Sequence, residues 1–446
     1  MTDLESLSSS WNESGRAYYT EFSSRLAKLY AGEQGVDADM KDPRTTEMGD
    51  EAMRAVIELN AQGKWERARE LFDPAYTPLL GWIKQSKRSF GFVTILGPDE
   101  LLVFRGEPWS DGITFHLHGG KASRVEDVRG FCRSRNRDFL VLARAAGLEI
   151  RDARAGIGDL AATPIATLPW PEPSILPGAE KPLAIESLQV SDDGKRVVVS
   201  CYRQGILLGS LHAGEPAWTV LWPAAKPFEN DGDDLPRAGD MTHVAISRDG
   251  TRLAFGCQDR GHFLATVGAG GAVAARGIAE PLSEYPHYAC FSDDGRFVAL
   301  NACHFYNGAT GCFDWDASND DDEQMPCIDG ALRVYAAAWL DKPVVDAILG
   351  RPAKSAGSFA LAGNGILRIV NLKGAVGVAQ GFGSSAGSID FCPESKRLAL
   401  ATYAGFVHVY DPYVEELPGR VDGVRPRREL TRWVLWEHLP NGPIRW

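Results

Sequence analysis

No stretch of this 446-residue chain approaches the run of about 18 apolar residues that a membrane-spanning helix needs, so no span is expected. The N-terminal MTDLESLSSSW has neither a basic start nor an apolar run, so it does not read as a secretory signal. The eight cysteines (Cys132, Cys201, Cys257, Cys290, Cys303, Cys312, Cys327 and Cys392) form no Cys-x-x-Cys pair, and several, such as Cys132, Cys290 and Cys392, sit inside apolar strand patterns. Buried free thiols without an export signal point to a reducing cytoplasm. A basic excess is also missing: 47 Lys and Arg face 59 Asp and Glu, for a net charge of −12. Such a surface repels phosphate backbones and anionic lipid, so neither nucleic acid nor membrane is expected as a partner; a basic protein suits it better. No P-loop, HExxH or dinucleotide fingerprint occurs, and the GxSxG spacing at Gly383–Gly387 resembles a nucleophile loop only loosely.

What is present is repetition. With 44% hydrophobic and 24% charged residues the chain can bury a large core and is not disordered. From about residue 88 onward it alternates short apolar runs with turns. One unit recurs as SLQVSDDGKRVVVS (187–200), HVAISRDGTRLAFG (243–256) and YACFSDDGRFVALN (288–301). A fourth copy, SIDFCPESKRLALA (388–401), has Ser395 at the glycine position. Asp-Gly between apolar runs is a hairpin signal, because the turn needs positive φ and glycine adopts it without strain. A glycine then opens a third strand, at Gly112, Gly147, Gly205, Gly261, Gly330, Gly365 and Gly405. Their mean spacing of about 49 residues matches the ~40–50 of a propeller blade. Seven third strands predict seven blades, each covering its neighbours' apolar faces. Inserts at 164–182, 223–240 and 314–326 interrupt the spacing, the last inside the fifth blade.

This pattern resembles WD40-type propellers over about 80% of the chain. It departs from them in that no blade ends in Trp-Asp; the one such dipeptide, Trp315-Asp316, lies in the acidic insert. The expected fold is mainly β: a seven-bladed WD40-like β-propeller over 87–446, with an N-terminal helical region over 1–86. Residues 47–85 carry apolar residues at three- and four-residue steps, as at Met53, Val56, Ile57 and Ala61, and predict helix. Gly63, Trp65, Ala68 and Phe72 resemble half of a tetratricopeptide hairpin. A further helix is expected over 15–30 and a loop over 31–46. The C-terminal RRELTRWVLWEHLPNGPIRW, with Trp433, Trp436 and Trp446, reads as a strand that joins an N-terminal blade and closes the ring, the alternative being a partner-docking tail. This ending resembles those of bacterial propeller proteins that accompany polymorphic or type VI-secreted toxins, and richness in Ala, Gly and Arg fits a GC-rich bacterial source.

Several clusters invite a chemical reading. Asp314, Asp316, Ser318, Asp320 and Asp322 alternate like calcium ligands, but Asn319 and Met325 stand where such a loop needs glycine and glutamate. His287, Cys290, Cys303, His304 and Cys312 match no zinc spacing. His116 and His118 share one face of a strand, and Ser384-Ser385 lies in a glycine-rich stretch better suited to a connection between blades. No catalytic, cofactor or metal residue is therefore assigned. Loop tryptophans Trp109, Trp170, Trp218 and Trp315 are candidate interface anchors. The expected function is non-catalytic protein binding, in its sharpest form an immunity-type protein that holds a cytoplasm-acting bacterial toxin. Its contacts would be Asp231, Asp233, Asp234, Trp315, Asp320, Asp321 and Asp322. The alternatives are a propeller hydrolase or lyase with a central-channel site, and a scaffold that docks through its helices.

Overall fold

The computed structural model describes residues 2–30, 32–37, 39–86, 90–107, 111–154, 160, 162–172, 183–212, 215–222, 241–258, 260–279, 282–304, 307–317, 325–354, 356–415 and 427–446. Four helical segments come first: α1 (Thr2–Tyr30), α2 (Thr46–Ala61), α3 (Trp65–Leu71) and, after a 3-10 turn at Thr77–Leu79, α4 (Leu80–Ile83). Thr45 caps α2 by accepting from the Met48 amide at 3.3 Å. The first helix is longer than expected, since it takes in residues 2–14 as well.

Antiparallel sheets follow, with strands in chain order. The first holds β1 (Phe90–Gly97), β2 (Glu100–Arg105), β3 (Ile113–His118) and β4 (Lys121–Val125); the second holds β5 (Gly130–Arg133), β6 (Phe139–Arg144), β7 (Gly147–Asp152) and β8 (Ala166–Pro169). The third holds β9 (Ile185–Val190), β10 (Arg196–Cys201), β11 (Gly205–His212) and β12 (Glu215–Trp222); the fourth holds β13 (His243–Ile246), β14 (Arg252–Cys257), β15 (Gly261–Val267) and β16 (Val273–Ala279). The fifth holds β17 (Tyr285–Phe291), β18 (Phe297–His304), β19 (Asn307–Asp314) and β20 (Cys327–Asp329). The last sheet has seven strands: β21 (Val334–Asp341), β22 (Gly357–Asn371), β23 (Val376–Cys392), β24 (Arg397–Thr402), β25 (Phe406–Glu415), β26 (Arg427–Val434) and β27 (Ile444–Arg445). Helix α5 (Lys342–Leu349) lies between β21 and β22.

The first strand of each sheet touches the first strand of the next. Contacts run β1–β5–β9–β13–β17–β21–β23 and return to β1, so the sheets stand round a central axis as propeller blades do. Apolar faces are shared between neighbours: Val198 and Leu208 of the third sheet pack with Leu253, Phe255 and Phe263 of the fourth. Across the closing seam, Val93 and Val103 pack with Ala401 and Val407. Each such side chain, fully buried, contributes roughly 1.5–3 kcal/mol.

The hairpins fall where the repeat places them, with Gly194, Gly250 and Gly295 at φ +69, +72 and +69. In the fourth copy Lys396, one residue after Ser395, takes the positive φ of 53. Each turn is locked in the same way. Ser191 Oγ donates to Asp193 and Ser247 Oγ to Asp249, both at 2.6 Å, and Ser292 Oγ donates to Asp294. A further hairpin, Ser134-Arg135-Asn136-Arg137, repeats the geometry without glycine: Ser134 Oγ donates to Asn136 at 2.7 Å, and Arg137 takes φ 64.

Two expectations need correction. Gly330 does not open a third strand: that place in the fifth sheet belongs to β19, and residues 334–341 form the inner strand β21 of the next sheet. The acidic insert follows β19, so the glycine after it had no partner strand left in that blade. The tail does not join an N-terminal blade either. β26 pairs with β25, and β27 with β26, because β4 already fills the outer edge of the first sheet. The tail's apolar side chains meet the helices instead. Trp436 and Trp446 share one buried cluster with Trp11, Met53, Val56, Phe72 and Leu79. Trp446 Nε1 donates to the Phe72 carbonyl at 2.6 Å, Arg69 Nη1 to the Trp446 carbonyl at 3.0 Å and Arg432 Nη1 to the Ala75 carbonyl at 2.8 Å. Among the described residues no helix is long and apolar enough to cross a membrane.

Candidate functional site

The inner strands enclose a cavity of about 530 Å³ on the axis. All of them run the same way, so their C-terminal ends gather at one mouth and their N-terminal ends at the other. The second residue of each repeated hairpin projects into the first mouth, and there the charges alternate: Arg135, Asp192, Arg248 and Asp293. Arg248 pairs with Asp192 through Nε and with Asp293 through Nη1 at 3.3 Å, while the Asn136 amide donates to Asp192 at 2.9 Å. Arg135, from the second sheet, donates to Asp293 of the fifth at 2.7 Å and to the Trp339 carbonyl of the last at 2.6 Å. These sheets are not neighbours in the ring, so Arg135 bridges the axis. Nearby, Arg137 grips Asp390 with two bonds of 2.8 Å, and Arg133 donates to the Ile95 and Leu96 carbonyls at 3.1 and 3.2 Å. Burial pushes the Asp390 carboxyl up, but Arg137 outweighs it and holds the group below the usual carboxylate range. This mouth is crossed by ion pairs.

The other mouth is aromatic and acidic. Glu107, Glu186, Met241, Thr242, His243, His287, Tyr335 and Tyr403 line it. Glu107, Glu186, Met241, Tyr335 and Tyr403 are each partly exposed. The Thr242 amide donates to Glu186 Oε2 at 3.1 Å. His287 meets Tyr335 edge to face at 4.8 Å between centroids, and Tyr335 meets Tyr403 likewise at 5.9 Å. Burial raises both tyrosine hydroxyls above the ordinary range, so they stay neutral. His243 Nε2 and His262 Nδ1 lie 2.9 Å apart. Burial lowers the imidazoles, His243 to about 4 and, with help from Arg333, His287 to about 3. His287 is 4% exposed, and its Nε2 has no hydrogen-bond partner among the described residues.

A thiol and an imidazole meet at Cys303 Sγ, 3.8 Å from His287 Nδ1. Burial raises the thiol while the imidazole is lowered. The proton therefore stays on sulfur and the ring stays neutral, the reverse of a thiolate–imidazolium pair. Burial also pushes the Cys290 thiol up to about 12. Among the described residues no three His, Cys, Asp or Glu side chains converge to hold a metal ion.

Of the residues singled out from sequence, Asp231, Asp233, Asp234, Asp320, Asp321, Asp322 and Trp109 lie outside the described residues. Trp315 is 3% exposed: Arg276 sits 4.9 Å from its ring centroid and Phe291 at 5.7 Å, so the indole fills a packing position. Trp170 and Trp218 stack at 5.7 Å, each partly exposed. His116 and His118 stack at 5.9 Å, and His116 bonds Glu100 at 2.7 Å. Ser384 and Ser385 lie within β23. The channel lining escaped the sequence reading. It draws on single residues from loops and strands far apart in the chain, and only the second letter of the Ser-x-Asp-Gly repeat, alternating between Arg and Asp, signalled the ionic mouth.

No protein-family model matches the chain, and no curated protein does. Among solved structures it is similar to the β-propeller domain of Cps50 (Swd1) from Myceliophteria thermophila, at 14% identity and a TM-score of 0.45, over 71% of this chain and 94% of that one. It is also similar to a chain of the mitotic checkpoint complex, at 12% identity and a TM-score of 0.42, over 68% of this chain and 79% of that one. The propeller arrangement is carried by the chain's own sheets and ring of inner strands.

Proposed function

We propose that this chain is a non-catalytic, protein-binding propeller of seven blades. The last sheet counts as two: β22 pairs with β21 before Asn364 and with β23 from Asn364 on, while β23 changes partner from β22 to β24 at residues 385–386. The observation that carries the reading is the state of the axial cavity. One mouth is crossed by ion pairs, and the Cys303–His287 contact is held in its unreactive protonation state, which favours a recess that holds over one that cleaves. The segment 1–86 acts as a cap on the unit 87–446, since its apolar residues complete the core of the last blade. In its finer form the partner is a basic toxin acting in a bacterial cytoplasm, neutralised by direct binding. The net charge of −12 and the tail's resemblance support this.

The test is affinity capture of the tagged full chain from its native extract, with stoichiometry measured and the captured protein expressed alone. One stoichiometric basic partner that stops growth alone and is tolerated with this chain supports the immunity form. A set of non-toxic subunits overturns that form and leaves protein binding. No partner at all overturns the proposal. Deleting residues 1–85 is a poor probe of docking, because it strips cover from Phe406, Trp436 and Trp446.

A further inference from the structure

The aromatic mouth has a chemistry of its own. Two carboxylates, Glu107 and Glu186, stand beside two neutral phenol rings, Tyr335 and Tyr403, around a cavity of about 530 Å³. The charges of the channel are unevenly spent. Among the described residues of the lining, the arginines Arg133, Arg135 and Arg248 are engaged at the ionic mouth by carbonyls and carboxylates. Arg333 lies on the Tyr335 ring, its Cζ 5.2 Å from the centroid. Below the rings, His287 offers a buried Nε2 without a partner among the described residues. A neutral imidazole exchanges tautomers without a change of charge, so that nitrogen can present its lone pair to an N–H group.

We propose that the aromatic mouth binds an organic cation, a guanidinium or a primary ammonium group. Glu107 and Glu186 supply the opposite charge, the rings of Tyr335 and Tyr403 wall the site, and His287 Nε2 accepts one N–H bond. Aromatic rings attract such cations through their negative faces, and partial burial strengthens the attraction. The source of the cation rests on the protein-binding reading: it is a lysine or arginine side chain of the partner, or else a free amine of the same chemistry.

Calorimetric titration of the full chain tests the site. The probes are N-acetyl-arginine amide, N-acetyl-lysine amide and agmatine, with N-acetyl-glutamine amide as the neutral control. Binding of at least one cationic probe without binding of the control is expected. A tenfold or greater weakening should follow in the double variant Glu107→Gln/Glu186→Gln and in Tyr403→Leu, with unfolding temperatures confirming that each folds. Should the double variant fail to fold, Glu107→Gln alone serves, because it leaves the Glu186–Thr242 bond intact. Tighter binding of agmatine than of the blocked amino acids marks a free amine as the natural ligand; the reverse order marks a side chain. No binding of any cationic probe, or binding indifferent to all the variants, overturns the site. If that happens while a partner is still captured, protein binding stands without the cation site. If the probes bind and no partner is captured, the cation site stands and protein binding falls.

Discussion

The two mouths of the channel are made from opposite ends of the same inner strands, yet they have opposite constitutions. At one, Arg135, Asp192, Arg248 and Asp293 satisfy one another across the axis. At the other, Tyr335, Tyr403, Glu107 and Glu186 face a cavity, with an imidazole nitrogen of His287 that has no hydrogen-bond partner among the described residues. The difference lies in what each end must do. Tight hairpins of identical geometry deliver side chains to one mouth at one height, so alternating charges can bond directly and hold the blades together. At the other mouth rings meet edge to face, His287 with Tyr335 and Tyr335 with Tyr403, and no such ladder of alternating charges is seen among the described residues. The first end is built for stability and the second for occupancy.

The sharpest way to break this contrast is at the pair Arg137–Asp390. Asp390→Ala leaves a guanidinium of 8% side-chain exposure without its carboxylate, and removing one partner of a buried pair costs roughly 3–5 kcal/mol. Denaturant unfolding should show that loss. A change below about 1 kcal/mol would mean that the ionic mouth is not a stabilising seam.

Acid should separate the two ends by pH. The His243 and His287 rings have folded values of about 4 and about 3, below the ordinary value of 6.5, so the unfolded chain binds protons that the fold refuses. Their contribution is present above about pH 6.5 and is lost as pH falls towards the folded values. The ionic mouth, with the Asp390 carboxyl held below its ordinary 3.8, keeps its contribution until pH drops below about 4. Between pH 7 and 5, His287 alone should account for a loss on the order of 1–2 kcal/mol. His287→Gln should flatten that slope, and an unchanged slope would show that His287 is not the group responsible.

The smallest effect is expected for Tyr403→Phe, which keeps the ring and removes a hydroxyl at the aromatic mouth. Stability should move by less than about 0.5 kcal/mol, because the ring keeps its contact with Tyr335 and no hydrogen bond to the hydroxyl is seen among the described residues. A loss comparable to that of Asp390→Ala would show that this mouth is structural as well, and the contrast would collapse.

Much of the propeller was legible along the chain because its hairpins repeat a local code. Ser-x-Asp-Gly folds by contacts within five residues, so the strands around 187–200, 243–256 and 288–301 could be placed directly. The hairpin at Ser134–Arg137 was hidden because Arg137, not glycine, adopts the positive φ, which reads as an ordinary residue. Gly330 misled because a glycine after an acidic insert looks like a strand opening, and only the pairing of β19 with β18 shows that the third strand was already made. The tail was legible as apolar but not by destination: Trp446 meets Phe72 at a separation of 374 residues, which no local pattern encodes.

By itself the sequence determined the repeating hairpins, the acidic balance and the helical start, since each depends on composition or on neighbours a few residues apart. Tertiary structure alone decided that the tail completes a core with the helices, that Trp315 packs inside, and that Glu107, Glu186, His287, Tyr335 and Tyr403 surround one cavity. The physical reason is distance along the chain. A ring of blades brings one residue from each repeat to a common axis, and what those residues are to one another exists only once the ring has closed.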